Sequence, residues 1–181
     1  MKVKNFKLKP ILCYLIATLY FMFLTTAIFA ESSYVLPYPS AMQGSKFYTI
    51  SLIWDEIRKY WYFGDFGQFK YNLGESDKYL VEAKTLFEYK QYFLGLNALR
   101  KSKDYYNKSH PFLLKAHYKG KDTRKNLILF ESASAKHIEI LLKMKSEVPE
   151  EFTWEPEKSP PTKLYLHKEI ENSINVRQKE G

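Results

Sequence analysis

The sequence has little cysteine, glycine or proline. Its 181 residues include one cysteine, seven glycines and eight prolines. A single cysteine excludes an intrachain disulfide framework. The chain after residue 30 contains none, which excludes cysteine nucleophiles, cysteine zinc sites and thioether-bound haem in that part. The chain is neither collagen-like nor of low complexity, and it lacks a glycine-rich phosphate loop and the G-x-S-x-G elbow of serine hydrolases.

Charge of one sign is not concentrated in the body of the chain. The formal net charge is +8, but four of the 28 basic residues lie within the first ten positions. The remaining 24 basic residues oppose 20 acidic ones, which leaves a net charge of +4, and the two signs are interspersed. This pattern is typical of solvated helix faces, so no nucleic-acid partner is expected. An anionic wall polymer or a lipid surface is compatible with it.

The first 30 residues have the pattern of an export signal. Residues 1–10 carry four lysines and no acid, and residues 11–30 are uncharged and mostly apolar. This order predicts a signal peptide or an N-terminal membrane anchor. Because the positive-inside bias keeps the lysines in the cytoplasm, everything from residue 31 onward is predicted to be extracytoplasmic. The pattern leaves open whether the segment is cleaved after Ala30, which gives a secreted protein, or stays in the membrane.

The rest of the chain is predicted to be all-α. Residues 31–44 contain two prolines and form an extended lead-in. Residues 45–148 predict four or five helices, arranged as a bundle or a short helical array. Residues 149–181 predict a proline-rich linker, in which Trp154 is the exception expected to dock, and a short C-terminal amphipathic segment. Deleting residues 150–181 is therefore expected to leave the helical melt nearly unchanged.

The helical spacing also assigns buried faces. From about residue 45 to 63, a stripe of large apolar side chains predicts one buried helix face. Two helices, from about 66 to 89 and from 91 to 108, carry small residues and predict an antiparallel hairpin. His110-Pro111 is expected to interrupt the helical region before a last long helix that ends near Val148. The stripe consists of Phe47, Ile50, Ile53, Trp54, Ile57 and Trp61, and the small residues are Ser76, Ala83, Gly95, Ala98 and Ser102.

The most distinctive local feature is a group of seven aromatic residues among the twelve from 60 to 71. Trp61, Phe66 and Phe69 fall on predicted buried stripes, so replacing Trp61 by Ala is expected to cost about 3–5 kcal/mol. The tyrosines are expected on the surface beside two lysines, where they suit a sugar polymer, a protein partner or a membrane interface. The alternative is that some of these rings pack in the core and the others are exposed without forming a binding surface. The candidate partner-binding residues are Lys59, Tyr60, Tyr62, Lys70 and Tyr71.

No constellation of catalytic or metal-binding residues is apparent. The four histidines are scattered and lack ligand spacing, so neither a metal nor a cofactor is expected. The acidic pairs Asp55-Glu56 and Glu150-Glu151 are adjacent in sequence, and helix neighbours do not form a facing dyad. The sequence favours a non-catalytic binding or structural module of the cell envelope, whose partner is an envelope protein or a cell-wall polymer. The alternative is a hydrolase that acts on cell-wall material with a carboxylate acid and base.

Two resemblances extend over longer segments. The stretch 79–108 looks like a degenerate tetratricopeptide hairpin, with Ala83, Gly95 and Leu99 among its packing positions. Four pieces occur in order: YVLPYP at 34–39, Gly44-Ser45, residues 76–83, and residues 136–139 preceding Val148-Pro149. Together they resemble a bacterial family of exported helical proteins known only as a domain of unknown function. This second resemblance implies an extracytoplasmic α-helical domain and no activity.

Overall fold

The computed structural model describes residues 34–38 and 45–181. The described part of the chain is predominantly helical, as predicted, and contains five helices and one two-stranded sheet. No helix within it is long and apolar enough to cross a membrane. The predicted signal peptide or anchor at 1–30 lies outside the described residues, as do 31–33 and 39–44 of the lead-in. The elements are α1 (Tyr48–Lys59), α2 (Gly64–Glu88), α3 (Tyr92–Tyr118), α4 (Arg124–Glu147), β1 (Glu151–Trp154), β2 (Thr162–Tyr165) and α5 (Leu166–Glu180).

Helices α2 and α3 form the predicted antiparallel hairpin, and their contact is the most extensive between helices. Small residues allow the close approach. A Cβ atom on Gly95 would lie 2.5 Å from Cδ1 of Phe87, so only glycine fits opposite that ring. Ser102 Oγ donates a hydrogen bond to the Ser76 carbonyl oxygen over 2.8 Å. The prediction that small residues lie at the helix contact is confirmed at these positions.

Helix α3 runs through His110-Pro111 without a break, so the predicted interruption there is wrong. Proline lacks an N–H group and costs about 3 kcal/mol within a helix. Leu113 and Ala116, which follow the proline, are both buried in the core. Continuing the helix places these two side chains in the core, and this burial offsets the local cost.

Two hydrophobic clusters form the interior. The larger joins α2, α3 and α4 to β2 and α5, and Leu36 of the lead-in packs against it. The smaller surrounds Phe130, whose ring stacks on Tyr106 with the centroids 4.8 Å apart, and Tyr34 packs against it. Helix α5 is therefore part of the core, since its residues Leu166, Ile170 and Ile174 are buried.

A β-hairpin replaces the predicted linker that follows α4. Strands β1 and β2 pair antiparallel, with Glu151 opposite Tyr165 and Trp154 opposite Thr162. The prolines at 156, 160 and 161 lie in the connection, where they remove no hydrogen bond from the ladder. Trp154 stacks on Phe93 with the ring centroids 4.2 Å apart, which confirms that this side chain docks. The all-α prediction is thus correct for the helices and wrong for this hairpin.

Helix α1 has the predicted period but the opposite orientation. Its polar side packs against α2, where Asp55 is buried. The six side chains of the predicted apolar stripe are 45% to 69% exposed, so the expectation that this stripe forms the buried face is wrong. We call these exposed side chains the apolar face of α1: Phe47, Ile50, Ile53, Trp54, Ile57 and Trp61.

Candidate functional site

Ion pairs hold the polar side of α1 against α2. Asp55 of α1 pairs with Lys78 of α2, and Arg58 of α1 pairs with the fully buried Glu75 of α2. Tyr71 donates a hydrogen bond from its hydroxyl to the Asp55 carbonyl oxygen over 3.2 Å. A buried charge that lost its partner would be costly, so these contacts fix which side of α1 faces the domain. The apolar face is left on the outside.

Trp61 belongs to this outer face. Its ring is 61% exposed and contacts Trp54 edge-to-face, with the centroids 5.5 Å apart. The prediction that Trp61 is a core residue is therefore wrong. The helical period showed that Trp54 and Trp61 share a face, but a period does not determine whether that face points inward.

We expect the Trp61→Ala variant to remain folded. An indole with more than half of its surface already in water loses little buried area on truncation, so the expected loss of unfolding free energy is about 1 kcal/mol or less. Urea denaturation followed by circular dichroism measures it. A loss of about 3 kcal/mol or more, typical of a core aromatic, would contradict the exposed position.

The candidate partner-binding residues divide into exposed and buried groups. Lys59, Tyr60 and Lys70 are exposed, and Tyr62 is half-buried. Tyr71 is only 3% exposed because α1 covers it, so the expectation that this ring is displayed is wrong. Phe66 and Phe69 pack in the smaller core cluster as predicted. The displayed aromatic side chains between α1 and α2 are Tyr60, Trp61 and Phe63, which we call the aromatic turn.

A groove of about 530 Å³ lies beside the aromatic turn, between the lead-in and helices α1 and α2. Tyr34 anchors the lead-in there, because its hydroxyl donates a hydrogen bond to Asp77 Oδ2 over 2.6 Å. Three cationic side chains, Arg58, Lys70 and Lys78, line the groove. No sequence pattern predicted this groove, because its walls come from segments that do not share a helical face.

A basic cluster surrounds the start of α2. Lys119 and Lys121, from the end of α3 and the loop after it, place their Nζ atoms 2.8 and 3.1 Å from Asp65 Oδ2. Lys115 Nζ is 4.0 Å from the other oxygen of the same carboxylate. Hydrogen bonds from Lys119 and Lys121 hold the pKa of Asp65 below its usual range. One carboxylate against three half-exposed lysines leaves this end of the domain positively charged.

A buried polar chain joins α2, α4 and α5. His137 Nε2 lies 2.7 Å from Asp77 Oδ1, and Arg177 Nε donates to His137 Nδ1 over 3.0 Å. A guanidinium only donates, so Nδ1 must be the acceptor, and the hydrogen of His137 is on Nε2, where it is donated to Asp77. His137 and Arg177 are fully buried. The chain therefore contains a neutral imidazole held between a carboxylate and a guanidinium.

The guanidinium of Arg177 uses its remaining donors inside the protein. It donates to the Ser173 hydroxyl over 2.6 Å and to the Ser102 hydroxyl over 2.9 Å, and it lies over the Tyr106 ring at 4.8 Å. Burial lowers the pKa of Arg177 to about 10 and raises the pKa of Tyr106 to about 12. Arg177 stays charged at neutral pH. With Ser102 included, the buried polar chain connects helices α2, α3, α4 and α5.

Stability is expected to fall as the pH drops below about 6.5, the ordinary pKa of histidine. Burial and the neighbouring Arg177 charge lower the pKa of His137 in the folded state, although Asp77 opposes this. The unfolded chain then binds the proton first, so each pH unit below that value costs up to about 1.4 kcal/mol until the folded pKa is reached. Urea denaturation of the native protein and of the His137→Gln variant, each at pH 7.5 and 5.5, measures how much His137 contributes to this pH dependence. An equal pH dependence in both proteins would contradict it.

Two carboxylates from different helices lie close together. Arg58 bridges them, pairing with Glu75 and lying 3.8 Å from Asp55 Oδ1. Burial, followed by the Asp55 charge, raises the pKa of Glu75. The Oε2 atom of Glu75 makes no hydrogen bond to any described residue. Asp55 also lines a groove of about 370 Å³ whose aromatic walls are Tyr71, Tyr79 and Tyr105.

The acidic residues that were considered as pairs from the sequence lie in different surroundings in the structure. Glu56 is exposed and lies 3.5 Å from Lys59, whereas its neighbour Asp55 is buried. Glu151 is on β1 and lies 2.5 Å from Lys163. Within the described residues, no group of three or more histidine, cysteine, aspartate or glutamate side chains could hold a metal ion.

No known protein family, curated protein or solved structure matches the chain. The resemblances noted from the sequence therefore stay predictions. The geometry of the described residues is the basis for the functional argument.

Proposed function

We propose that the chain is an exported, non-catalytic binding module of the cell envelope. Residues 11–30 serve as a signal peptide or as a membrane anchor, and the helical domain works outside the cytoplasm. The observation that carries the proposal is the display of large aromatic side chains at one end of the domain, with Tyr60 69% and Phe63 83% exposed. Contiguous exposed apolar side chains rimmed by charge are typical of interaction surfaces.

The buried polar chain supports a non-catalytic role. Asp77 and His137 have the geometry of an acid–base pair, but His137 is fully enclosed and Arg177 occupies its second nitrogen. A general base must reach the proton that it removes. The pair therefore stabilises the fold, and the exposed aromatic turn is the proposed binding surface.

Site-specific photo-crosslinking in the native cells tests this proposal. A photoreactive side chain at position 60 of the full chain is expected to give adducts with one component of the envelope, which is an envelope protein, the cell-wall polymer or a membrane lipid. The same group at Tyr165, a 48% exposed residue on β2, is the control and is expected to give no such adduct. Adducts confined to cytoplasmic proteins, or equal adducts from both positions, would overturn the proposal.

One observation favours a second candidate, a hydrolase that acts on cell-wall material. Asp55 and Glu75 approach each other from two helices, the pKa of Glu75 is raised, and a tyrosine-lined groove lies beside Asp55. A carboxylic acid next to a carboxylate is the arrangement that glycosidases use. Release of soluble fragments from purified wall material by the native chain, lost in Glu75→Gln, would support this candidate. No release by the native chain would reject it.

A further inference from the structure

We propose that the apolar face of α1 lies in the surface of an anionic lipid bilayer, with the aromatic turn at the level of the headgroups. The inference rests on the proposed function, because it names the partner of the same exposed surface. Three observations carry it: the orientation of α1, the residue types on its outer face and the surrounding cations.

The orientation of α1 is fixed by its other side. Asp55 and Arg58 are committed to ion pairs with Lys78 and Glu75 of α2, so the helix cannot turn its apolar face inward without breaking them. The outer side chains, from Phe47 to Trp61, therefore form a continuous apolar stripe that the described residues leave uncovered. A helix with one polar side against protein and one long apolar side outward has the form of an interfacial helix.

The residue types on this face are those of a membrane interface. Trp54 and Trp61 contact each other on the stripe, and Tyr60 and Phe63 follow in the turn. Tryptophan and tyrosine are enriched where hydrocarbon meets headgroups, because their rings are apolar and each has a polar group at its edge. Isoleucines at 50, 53 and 57 supply the part of the stripe that would enter the acyl region.

The charge around the aromatic turn complements an anionic surface. Lys115, Lys119 and Lys121 converge on the single carboxylate of Asp65, directly after the turn. The exposed Lys70, which lines the groove beside the turn, adds a further cation. Basic side chains beside an apolar helix face favour anionic lipids. The same excess of positive charge opposes a second copy of this chain, whose patch would carry the same sign.

Fluorescence quenching by brominated lipids tests the inference in the full chain. The Trp154→Phe variant retains Trp54 and Trp61 as its fluorophores and is reconstituted in vesicles of phosphatidylglycerol and phosphatidylcholine. It is expected to lose about half of its fluorescence when the acyl chains are brominated, because an interfacial helix places its apolar side 5–10 Å into the bilayer. The variant with both Trp54→Phe and Trp61→Phe, which retains Trp154, is the control and is expected to change little.

A charge on the apolar face separates lipid contact from folding. The Ile53→Glu, Ile57→Glu variant, made in the Trp154→Phe background, is expected to lose the quenching and to keep its helical circular dichroism spectrum, because both side chains are exposed. Ile128→Glu is the matched control, since Ile128 is an isoleucine on α4 that is 63% exposed. It is expected to be quenched as strongly as the Trp154→Phe parent.

The outcomes that would overturn the inference are distinct from those for the proposed function. Absence of quenching while the chain stays in the vesicles would reject the lipid contact and leave an envelope binding module standing. Equal quenching in purely neutral vesicles would reject the anionic surface. A dimer that Ile53→Glu, Ile57→Glu dissociates would assign the face to a second copy. Quenching together with cytoplasmic crosslinks from position 60 would reject export and leave the lipid contact standing.

Discussion

Deleting residues 150–181 is expected to abolish the cooperative melting transition of the domain. The deletion removes α5, whose Leu166, Ile170 and Ile174 are buried in the larger core cluster. Each such side chain contributes roughly 1.5–3 kcal/mol of burial, and a whole domain is stable by only about 5–15 kcal/mol. The deletion also removes Arg177 and leaves His137 without its donor.

Thermal unfolding followed by far-ultraviolet circular dichroism measures this effect. The full chain is compared with the deletion and with a control in which Glu157, Lys158 and Ser159 are replaced by glycine. These residues lie in the exposed connection between the strands, so the control is expected to melt like the full chain. The sequence alone predicts that the melt is nearly unchanged by the deletion, since residues 149–162 have the composition of a linker and only a short amphipathic segment follows. Equal melting midpoints for the deletion and the full chain would support the prediction from the sequence and refute the docked tail.

Replacing Arg177 by Met is expected to lower the free energy of unfolding by about 3–5 kcal/mol, because it removes the positive charge that balances the buried Asp77 carboxylate across the neutral His137 ring. Methionine fills much of the same volume as arginine, so the loss of unfolding free energy measures the contribution of the guanidinium group. Without it, His137 Nδ1 and the hydroxyls of Ser102 and Ser173 lose their donor, and Asp77 loses a nearby positive charge.

Arg100→Met provides the matched control for this measurement. Arg100 pairs with Glu169 at 2.7 Å, but half of its side chain is exposed, and exposed ion pairs contribute about 1 kcal/mol or less. Urea denaturation of both variants is expected to separate them by several kcal/mol. Similar losses in the two variants would mean that the buried polar chain stabilises the fold no more than a surface pair does.

The sequence predicted those features of the fold that depend on neighbours along one helix. The hairpin of α2 and α3 was predictable because small residues recur at helical spacing on each helix, and they allow two helices to approach. These are Ser76 and Ala83 on α2, and Gly95 and Ser102 on α3. The core positions of Phe66 and Phe69 followed from the same period. The candidate site was predictable only in part, because the period located Tyr60 on the surface but placed Trp61 and Tyr71 on the wrong sides.

Contacts between distant segments could not be predicted in this way. Asp77, His137 and Arg177 are separated by 60 and 40 residues, and each alone has the appearance of an ordinary helix residue. The β-hairpin was missed because its strands are four residues long, and the prolines between them are typical of a linker. In the structure, Trp154 of β1 stacks on Phe93 of α3, a contact between segments about 60 residues apart that no local pattern reveals.

The sequence by itself determined that the domain is predominantly helical and which side chains share a helix face, because both follow from local periodicity. Only the tertiary structure decided that the apolar face of α1 points outward. The reason is energetic: Asp55 and Glu75 each find a cation between α1 and α2, and this pairing requires the polar side of α1 to face inward. A period specifies the faces of a helix, whereas the partners available on neighbouring elements determine which face is buried.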